Sequence, residues 1–516
     1  MISRILGLAR DQLMATLFGA GFATDAFNVA FRIPNLLRDL FAEGAMSAAF
    51  IPTFTAWRMK HGDAAAWALG RQVMAWLLAV LGLLVAAGWF AAPALVQLLA
   101  GGFASVPGKI ELTVTLTRIM LPFLPAVALA AVAMGMLNAR GVFAIPALAP
   151  ALLNVGMIVF GLALIPVCGL TGQPAIVAMA WGVLLGGMLQ LAVQLPSLAQ
   201  LGFLFRLERP VLDPGVMRVA SLMLPATVGL AATQVNLAVS TAIAASLREG
   251  SVSWLYYAFR LMQLPIGVFG VALATVAMPA LSRAAVAKDM PALRTTLSST
   301  VRLVCLLTIP SAVFLAVMAA PLHALLFEHG RFTAFDTAMC ADALLMYCIG
   351  LPAFAAVGVF TRAFYALGDT RTPVRASLFS VALNLTLNLM FVGPWAWMGL
   401  EHRGLALATS LTALVNLGQL AWALRRRAGG IEARRILSTA LRVTLASAVV
   451  MAVLFLGLAW LGPRWHTGLV AEASTVGAAL VLALLLGWPA LKLFGVEERS
   501  ALADLGRSVS RRLRGR

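Results

Sequence analysis

Charge is what this sequence has least of. Of its 516 residues, 38 are Lys or Arg and 20 are Asp or Glu, 11% of the chain, where a soluble globular protein carries about 25%. That shortfall excludes an ordinary cytosolic enzyme. The deficit is also local: the 65 residues from Gly141 to Phe205 contain no Asp, Glu, Lys or Arg, and no water-exposed surface can be built from such a run. Cysteine is scarce, and Cys168, Cys305, Cys340 and Cys348 sit in apolar sequence without metal-type spacing, which argues against disulfides and a metal centre. The five histidines, His61, His323, His329, His402 and His466, have no ligand spacing either. There is no P-loop, no G-x-S-x-G and no dinucleotide fingerprint. No ATPase is therefore visible and no cofactor is expected, so pumping must draw on an ion gradient, the membrane potential or the substrate gradient. Met1-Ile2-Ser3-Arg4, with Arg10 and Asp11 close behind, lacks the apolar core and cleavage site of a secretory signal, so the first segment is expected to be retained.

What is abundant is apolar: 61% of the residues are hydrophobic, and a transmembrane helix needs about 20 of them in a row. Apolar runs separated by Gly, Pro and charge clusters predict an all-α polytopic membrane protein of about fourteen transmembrane helices, from 2–22 and 26–56 to 436–461 and 468–494. With a cytoplasmic N-terminus, the loops on that side and the C-terminal tail hold 25 Lys or Arg, and the opposite loops hold five: Lys109, Arg248, Arg331, Arg403 and Arg464. The positive-inside rule then puts both ends in the cytoplasm. A net charge of +18 in a soluble protein would suggest nucleic acid; here most of it sets topology, and no nucleic-acid partner is expected.

The chain also matches itself at an offset of 227 or 228 positions. Ala30-Phe31-Arg32 meets Ala258-Phe259-Arg260, Pro52 meets Pro279, Ala91-Ala92-Pro93 meets Ala319-Ala320-Pro321, and Ala139-x-Gly141-x4-Pro146 meets Ala366-x-Gly368-x4-Pro373. The offset spans six helices, an even number, so the copies share one orientation and should be related by an axis along the membrane normal. This predicts two pseudo-symmetric six-helix lobes, 1–205 and 206–430, followed by two extra C-terminal helices in 431–496 and a basic cytoplasmic tail, 497–516.

Eight basic residues remain at or within spans: Arg4, Arg10, Arg32, Arg38, Arg118, Arg260, Arg302 and Arg442. An Arg at mid-bilayer costs roughly 2.5 to 3.5 kcal/mol on insertion scales, so each needs a polar cavity, a partner or an anionic ligand. The first two spans hold most of the intramembrane charge: Arg4, Arg10 and Asp11, then Asp25, Arg32, Asn35, Arg38, Asp39 and Glu43. Asp25, Arg32 and Asp39 recur every seven residues, on one helical face. Arg260 is the repeat equivalent of Arg32 and should face the same cavity. Such a cationic cavity suits a phosphate or pyrophosphate, which guanidinium groups bind bidentately. Other readings stay open. Arg10 with Asp11, and Arg38 with Asp39 or Glu43, can be internal ion pairs; Arg4 can snorkel to the interface; Arg118, Arg302 and Arg442, near span ends, suit interfacial anchoring. Asp11, Asp39 and Arg32 are candidates for ion coupling or salt bridges, and Asp25, Asp39 and Glu43 for proton or cation binding. Pro122 with Pro125, Pro265 and Pro310 should bend or break helices, and Gly182-x3-Gly186 has the spacing of a helix-packing motif.

Ser3-Arg4-x-Leu6-Gly7-x-x-Arg10-Asp11, Thr24-Asp25-Ala26-Phe27-x-x-Ala30-Phe31-Arg32-x-Pro34-Asn35-Leu36-Leu37-Arg38 and Ala42-Glu43-Gly44-Ala45 closely resemble the opening of the MurJ/MviN lipid II flippase family of the MOP exporter superfamily. Gly250-Ser251-Val252-Ser253-Trp254-x-Tyr256-Tyr257-Ala258 and Gly330-x-Phe332-Thr333-Ala334-Phe335-Asp336 extend the resemblance along the chain. It implies fourteen helices in two lobes, a cationic central cavity for the pyrophosphate and sugar headgroup of lipid II, and a groove from the last two helices for the polyprenyl tail. It places Arg4, Arg10, Asp25, Arg38, Arg260 and Glu43 on positions used for substrate or cavity function, and Asn35 joins them as a substrate-binding candidate. The expected partners are lipid II, membrane lipids and cell-wall synthesis proteins, the expected state is a monomer, and the expected location is the bacterial cytoplasmic membrane. Two departures stand out. Family members usually have a longer first helix ahead of Ser3-Arg4, so a start upstream of Met1 is an open expectation. Many also carry acids where this chain has Phe259 and Gln263, so no salt bridge there carries over. The contrasting readings are a related exporter of another polyprenyl-linked saccharide or small molecule, and a scaffold that recruits synthases through the basic tail.

Overall fold

The computed structural model describes residues 2–40, 44–206, 208–392, 399–462, 466 and 468–498. Among these there is no β-strand. Among the described residues, eleven helical stretches are long and apolar enough to cross a bilayer, against the fourteen expected. The first two helices, α1 (Ile2–Phe18) and α2 (Phe22–Arg38), fall outside that number because each is short, at 17 residues, and charged.

By packing, the chain divides into two compact units, Met1–Ser253 with Gly330–Phe332, and Trp254–His329 with Thr333–Arg516. The first contains α1, α2, α3 (Gly44–Ala100), α4 (Lys109–Met120), α5 (Phe123–Ala139), α6 (Ala144–Leu170), α7 (Ile176–Ala192), α8 (Leu195–Gln200) and α9 (Pro214–Ala245). Gly62, at φ 84°, breaks α3 between the expected span 26–56 and the next expected span, 67–99, and Asp63 beside it accepts from Arg140 Nη1 at 2.7 Å. Pro122 separates α4 from α5, because a ring without an N–H interrupts the helical ladder. Phe50, Phe54, Phe123, Met136 and Val183 fill the core between α3, α5 and α7. α6 and α7 pack most closely of all: a Cβ on Gly156 would run into the Gly186 backbone, and one on Gly182 would meet Met157 Cα at 3.0 Å. The Gly182-x3-Gly186 spacing is thus a packing surface, which fits a membrane, where small residues let helices approach.

The second unit contains most of α10 (Ser251–Pro265), then α11 (Val271–Val286), α12 (Met290–Val317), α13 (Ala319–Phe327), α14 (Ala334–Ala366), α15 (Arg371–Val392), α16 (Glu401–Ala428), α17 (Ala433–Leu461) and α18 (Leu469–Leu493). Pro265 is followed by a π-helical turn, Ile266–Gly270, whereas Pro310 is carried inside a continuous α12. Thr333 and Asp336 form a capping box at the start of α14, and Asp336 Oδ1 also accepts from Trp254 Nε1 at 2.9 Å. Two short sequence motifs therefore meet as one structural joint.

Arg118, Arg302 and Arg442 have specific protein partners as well as positions near span ends. Arg118 lies 4.5 Å over the Trp89 ring. Arg442 Nη1 donates to Gly495 O at 2.8 Å, and Arg302 Nη1 to Glu498 Oε1 at 2.5 Å, where Thr439 Oγ1 donates as well. The segment after α18 is thereby clasped against α12 and α17. Arg302→Ala is expected to remove about 2 kcal/mol or more, because it strands a buried carboxylate; the thermal unfolding midpoint in detergent measures it, and Arg302→Lys should recover part of the loss.

Candidate functional site

Charged side chains in apolar helices persist where something satisfies them, so the site is built by following each to its partners. Arg4 is exposed on the first turn of α1. Six residues on, Arg10 is 8% and Asp11 2% exposed. Arg10 Nη2 and Nε reach Asp11 Oδ1 at 2.6 and 3.0 Å, and Nη1 donates to Asn154 Oδ1 of α6 at 3.1 Å. Asn154 Nδ2 in turn donates to Ser3 O, so one amide ties α1 to α6 at two points. The sequence alone did not single out Asn154; its signal is a polar side chain midway along a helix in the run that carries no charge.

On α2 the charges fall into two stations. Near its start, Asp25 is 1% exposed and pairs with Lys109 Nζ at 3.0 Å. At its other end, Arg38 Nη2 and Nε donate to Asp39 Oδ1 at 2.8 and 3.2 Å, and Asp39 Oδ2 accepts from Gln234 Nε2 of α9 at 3.1 Å. Fourteen residues of helix, about 20 Å, lie between Asp25 and Asp39, so their shared helical face does not make one cluster. Between them, Arg32 and Asn35 are half-buried, and the Asn35 side-chain oxygen is buried without a hydrogen-bond donor. Glu43 lies outside the described residues. Arg260 lies in the second unit, half-buried on α10; the neighbouring Phe259 packs edge-on against Tyr347, ring centroids 5.4 Å apart, and Gln263 is exposed.

Lys109 corrects one expectation. Counted from the sequence among the charges of the outer loops, it is instead the first residue of α4 and is 1% exposed. Its ammonium sits 4.3 Å from the Phe103 ring centroid, a cation–π contact that favours charge in an apolar setting. Nothing in the local sequence distinguishes it from a loop lysine; only its meeting with Asp25 does.

Chemically, the described residues of the first unit present fixed guanidinium groups beside carboxylates, and an amide oxygen without a donor, an arrangement suited to holding an anion. Among the described residues no three His, Cys, Asp or Glu side chains gather as metal ligands. Long apolar helices with engaged arginines inside them define a multi-pass membrane protein, and its fold is similar to that of a MATE family multidrug transporter of the MOP superfamily in an inward-facing conformation, which superposes with a TM-score of 0.67 over 83% of this chain and 94% of its own, at 15% identity. A structure described as lipid II flippase MurJ, inward closed conformation, superposes with a TM-score of 0.79 over 97% of this chain and 98% of its own, at 24% identity.

The chain belongs to the lipid II flippase MurJ family, whose profile matches residues 14–475. It is 37% identical to a probable lipid II flippase MurJ of Vibrio cholerae over 94% of this chain and 93% of that protein. It is 38% identical to the lipid II flippase MurJ of Burkholderia cenocepacia over 95% of this chain and 88% of that one.

Proposed function

We propose that this chain is a transporter that moves lipid II, an undecaprenyl-pyrophosphate disaccharide-peptide, from the inner to the outer leaflet of the bacterial cytoplasmic membrane by alternating access. Arg10 carries the reading: a guanidinium 8% exposed in an apolar helix, its fork held by Asp11 and Asn154. Arg38 adds positive charge in the same unit, and with Arg10 it is proposed to form a cationic site that exchanges internal carboxylates for the pyrophosphate as the headgroup enters; Arg260, on α10 of the second unit, is proposed as a further substrate-binding residue. Pyrophosphate is a good competitor because it offers the same bidentate geometry with more charge. Asn35, with its unsatisfied oxygen, is proposed to accept from a sugar hydroxyl or amide, and α17 and α18 to receive the polyprenyl tail. Both termini are proposed to be cytoplasmic, on an imbalance of 25 basic residues on that side against five on the other. A monomer is proposed, with cell-wall synthesis proteins as partners.

Replacing Arg10, Arg38 and Arg260 together with Ala is expected to abolish growth of flippase-depleted cells. Full growth of the triple variant sinks the cationic site. A lipid II accessibility assay in the same cells separates this reading from a related exporter with another polyprenyl-linked cargo, and translocation in vesicles with and without an imposed potential tests the energy source.

A further inference from the structure

Asp25 is full. A carboxylate offers about four acceptor positions, and all four are taken: Oδ2 accepts from Lys109 Nζ at 3.0 Å and Gly250 N at 2.8 Å, and Oδ1 accepts from Ser253 N at 3.0 Å and Ser253 Oγ at 2.6 Å. Gly250 and Ser253 flank the start of α10, so an aspartate more than 200 residues earlier in the sequence caps its opening turn. Carboxylates suit helix N-termini because the first N–H groups have no helical partner and carry partial positive charge. Neighbouring contacts close the same end of the first unit. Phe22 N donates to Glu249 Oε1 at 2.9 Å, Arg331 N donates to Thr16 O at 3.0 Å, and Gly102 lies so close to Ala245 and Ser246 that no Cβ fits.

We infer that Lys109 is a positioning residue of the transport cycle: it holds Asp25 as a saturated latch on the start of α10 and so sets how readily this end of the first unit opens. The physical reason is desolvation. A carboxylate 1% exposed gives up its water when it is buried, and two backbone N–H groups and a hydroxyl bring dipoles but no charge; Lys109 is the cation that compensates it. Without Lys109 the anion gains by leaving for water, and the first turn of α10 loses its cap as it goes. Asp25 accordingly has no acceptor position left for a substrate while the latch is closed; its part in transport is to engage and release.

The test uses the full chain in membranes with Ser251→Cys as reporter. Ser251 is 0% exposed and its hydroxyl makes no hydrogen bond, so the replacement is mild, and the four native thiols are buried. N-ethylmaleimide labelling of the reporter reads opening directly and does not depend on what is transported; growth of flippase-depleted cells is the second readout and rests on the proposed function. Lys109→Met is expected to raise the labelling rate about ten-fold or more, and Lys109→Arg to return it to within about three-fold of the parent, because a guanidinium restores the charge. If Lys109 acts through Asp25, the double variant Asp25→Asn with Lys109→Met labels no faster than the faster single variant. That neutral pair leaves no uncompensated buried charge, but an Asn amide has one oxygen where the carboxylate has two, so either Gly250 N or Ser253 still loses its acceptor and the cap is still broken; the pair therefore carries the test where Lys109→Met fails to accumulate. Parental labelling in Lys109→Met or in the neutral pair overturns the latch, as does a double variant whose effect is the product of the two single ones. Fast labelling with normal growth keeps the latch and removes its role in transport.

Discussion

Arg10→Ala is expected to leave little folded protein and no transport. Arg10 and Asp11 are adjacent, both buried, with a 2.6 Å contact, and Arg10 also bridges to Asn154 on α6. Breaking a buried ion pair by deleting one partner costs about 3–5 kcal/mol, a large fraction of the 5–15 kcal/mol that is typical of a folded domain. Membrane accumulation alone would therefore not show whether Arg10 serves the substrate or the fold. The variant that separates them is Arg10→Met with Asp11→Leu, which removes both charges at similar volume and is expected to recover accumulation, since such neutral replacements are often harmless or stabilising. If the guanidinium meets pyrophosphate, the neutral pair is stable and still fails to support flippase-depleted cells. Growth of the neutral pair would assign Arg10 to holding α1 against α6 and nothing more.

Gly156→Val is expected to be equally severe, for a reason that involves no charge. The added side chain would meet the Gly186 backbone, and Gly186→Val would meet Leu153 O at 2.8 Å and Leu153 Cα at 3.1 Å. Overpacking usually costs about 1–3 kcal/mol when side chains can shift; here the obstacle is backbone on both sides, so α6 and α7 must separate along their contact. The expected outcome is loss of the folded protein from membranes, or a much lower unfolding midpoint in detergent. Gly169→Ala, on the same helix with nothing within 4 Å of its Cβ, should behave as the parent. A parental midpoint for Gly156→Val would show that the α6–α7 contact is not tight in the membrane.

These two variants also mark where the sequence stopped being readable. The Gly182-x3-Gly186 spacing was visible, but Gly156, which receives it, has no partner at that spacing, because contact between helices depends on which faces meet. Arg10 and Asp11 were legible as a pair because they adjoin. Asn154 was not, since a single amide in a long apolar helix resembles any tolerated polar residue until α1 is laid beside it. Pro122 and Pro265 were expected to disturb their helices, and the chain is broken at one and π-helical after the other; Pro310 has the same chemistry, yet α12 continues through it. The helix starts at Gly250–Trp254 and Thr333–Asp336 were recognisable as family motifs, but their purpose was not. Asp336 serves both its own helix and Trp254, and Ser253 serves an aspartate on α2.

The sequence by itself determined the class of this protein. Hydropathy, loop charge, the internal repeat and the arginines of the first two helices are properties of composition and order along the chain, and the bilayer acts on them locally: each span must be apolar enough to insert, and each loop charge acts on the side where it lies. The tertiary structure alone decided which charges face each other. Asp25 and Lys109 are 84 residues apart, and each taken singly reads as something else, a substrate ligand and a loop lysine. A buried charge is tolerated when another charge stands about 3 Å away, and that distance is set by helix packing.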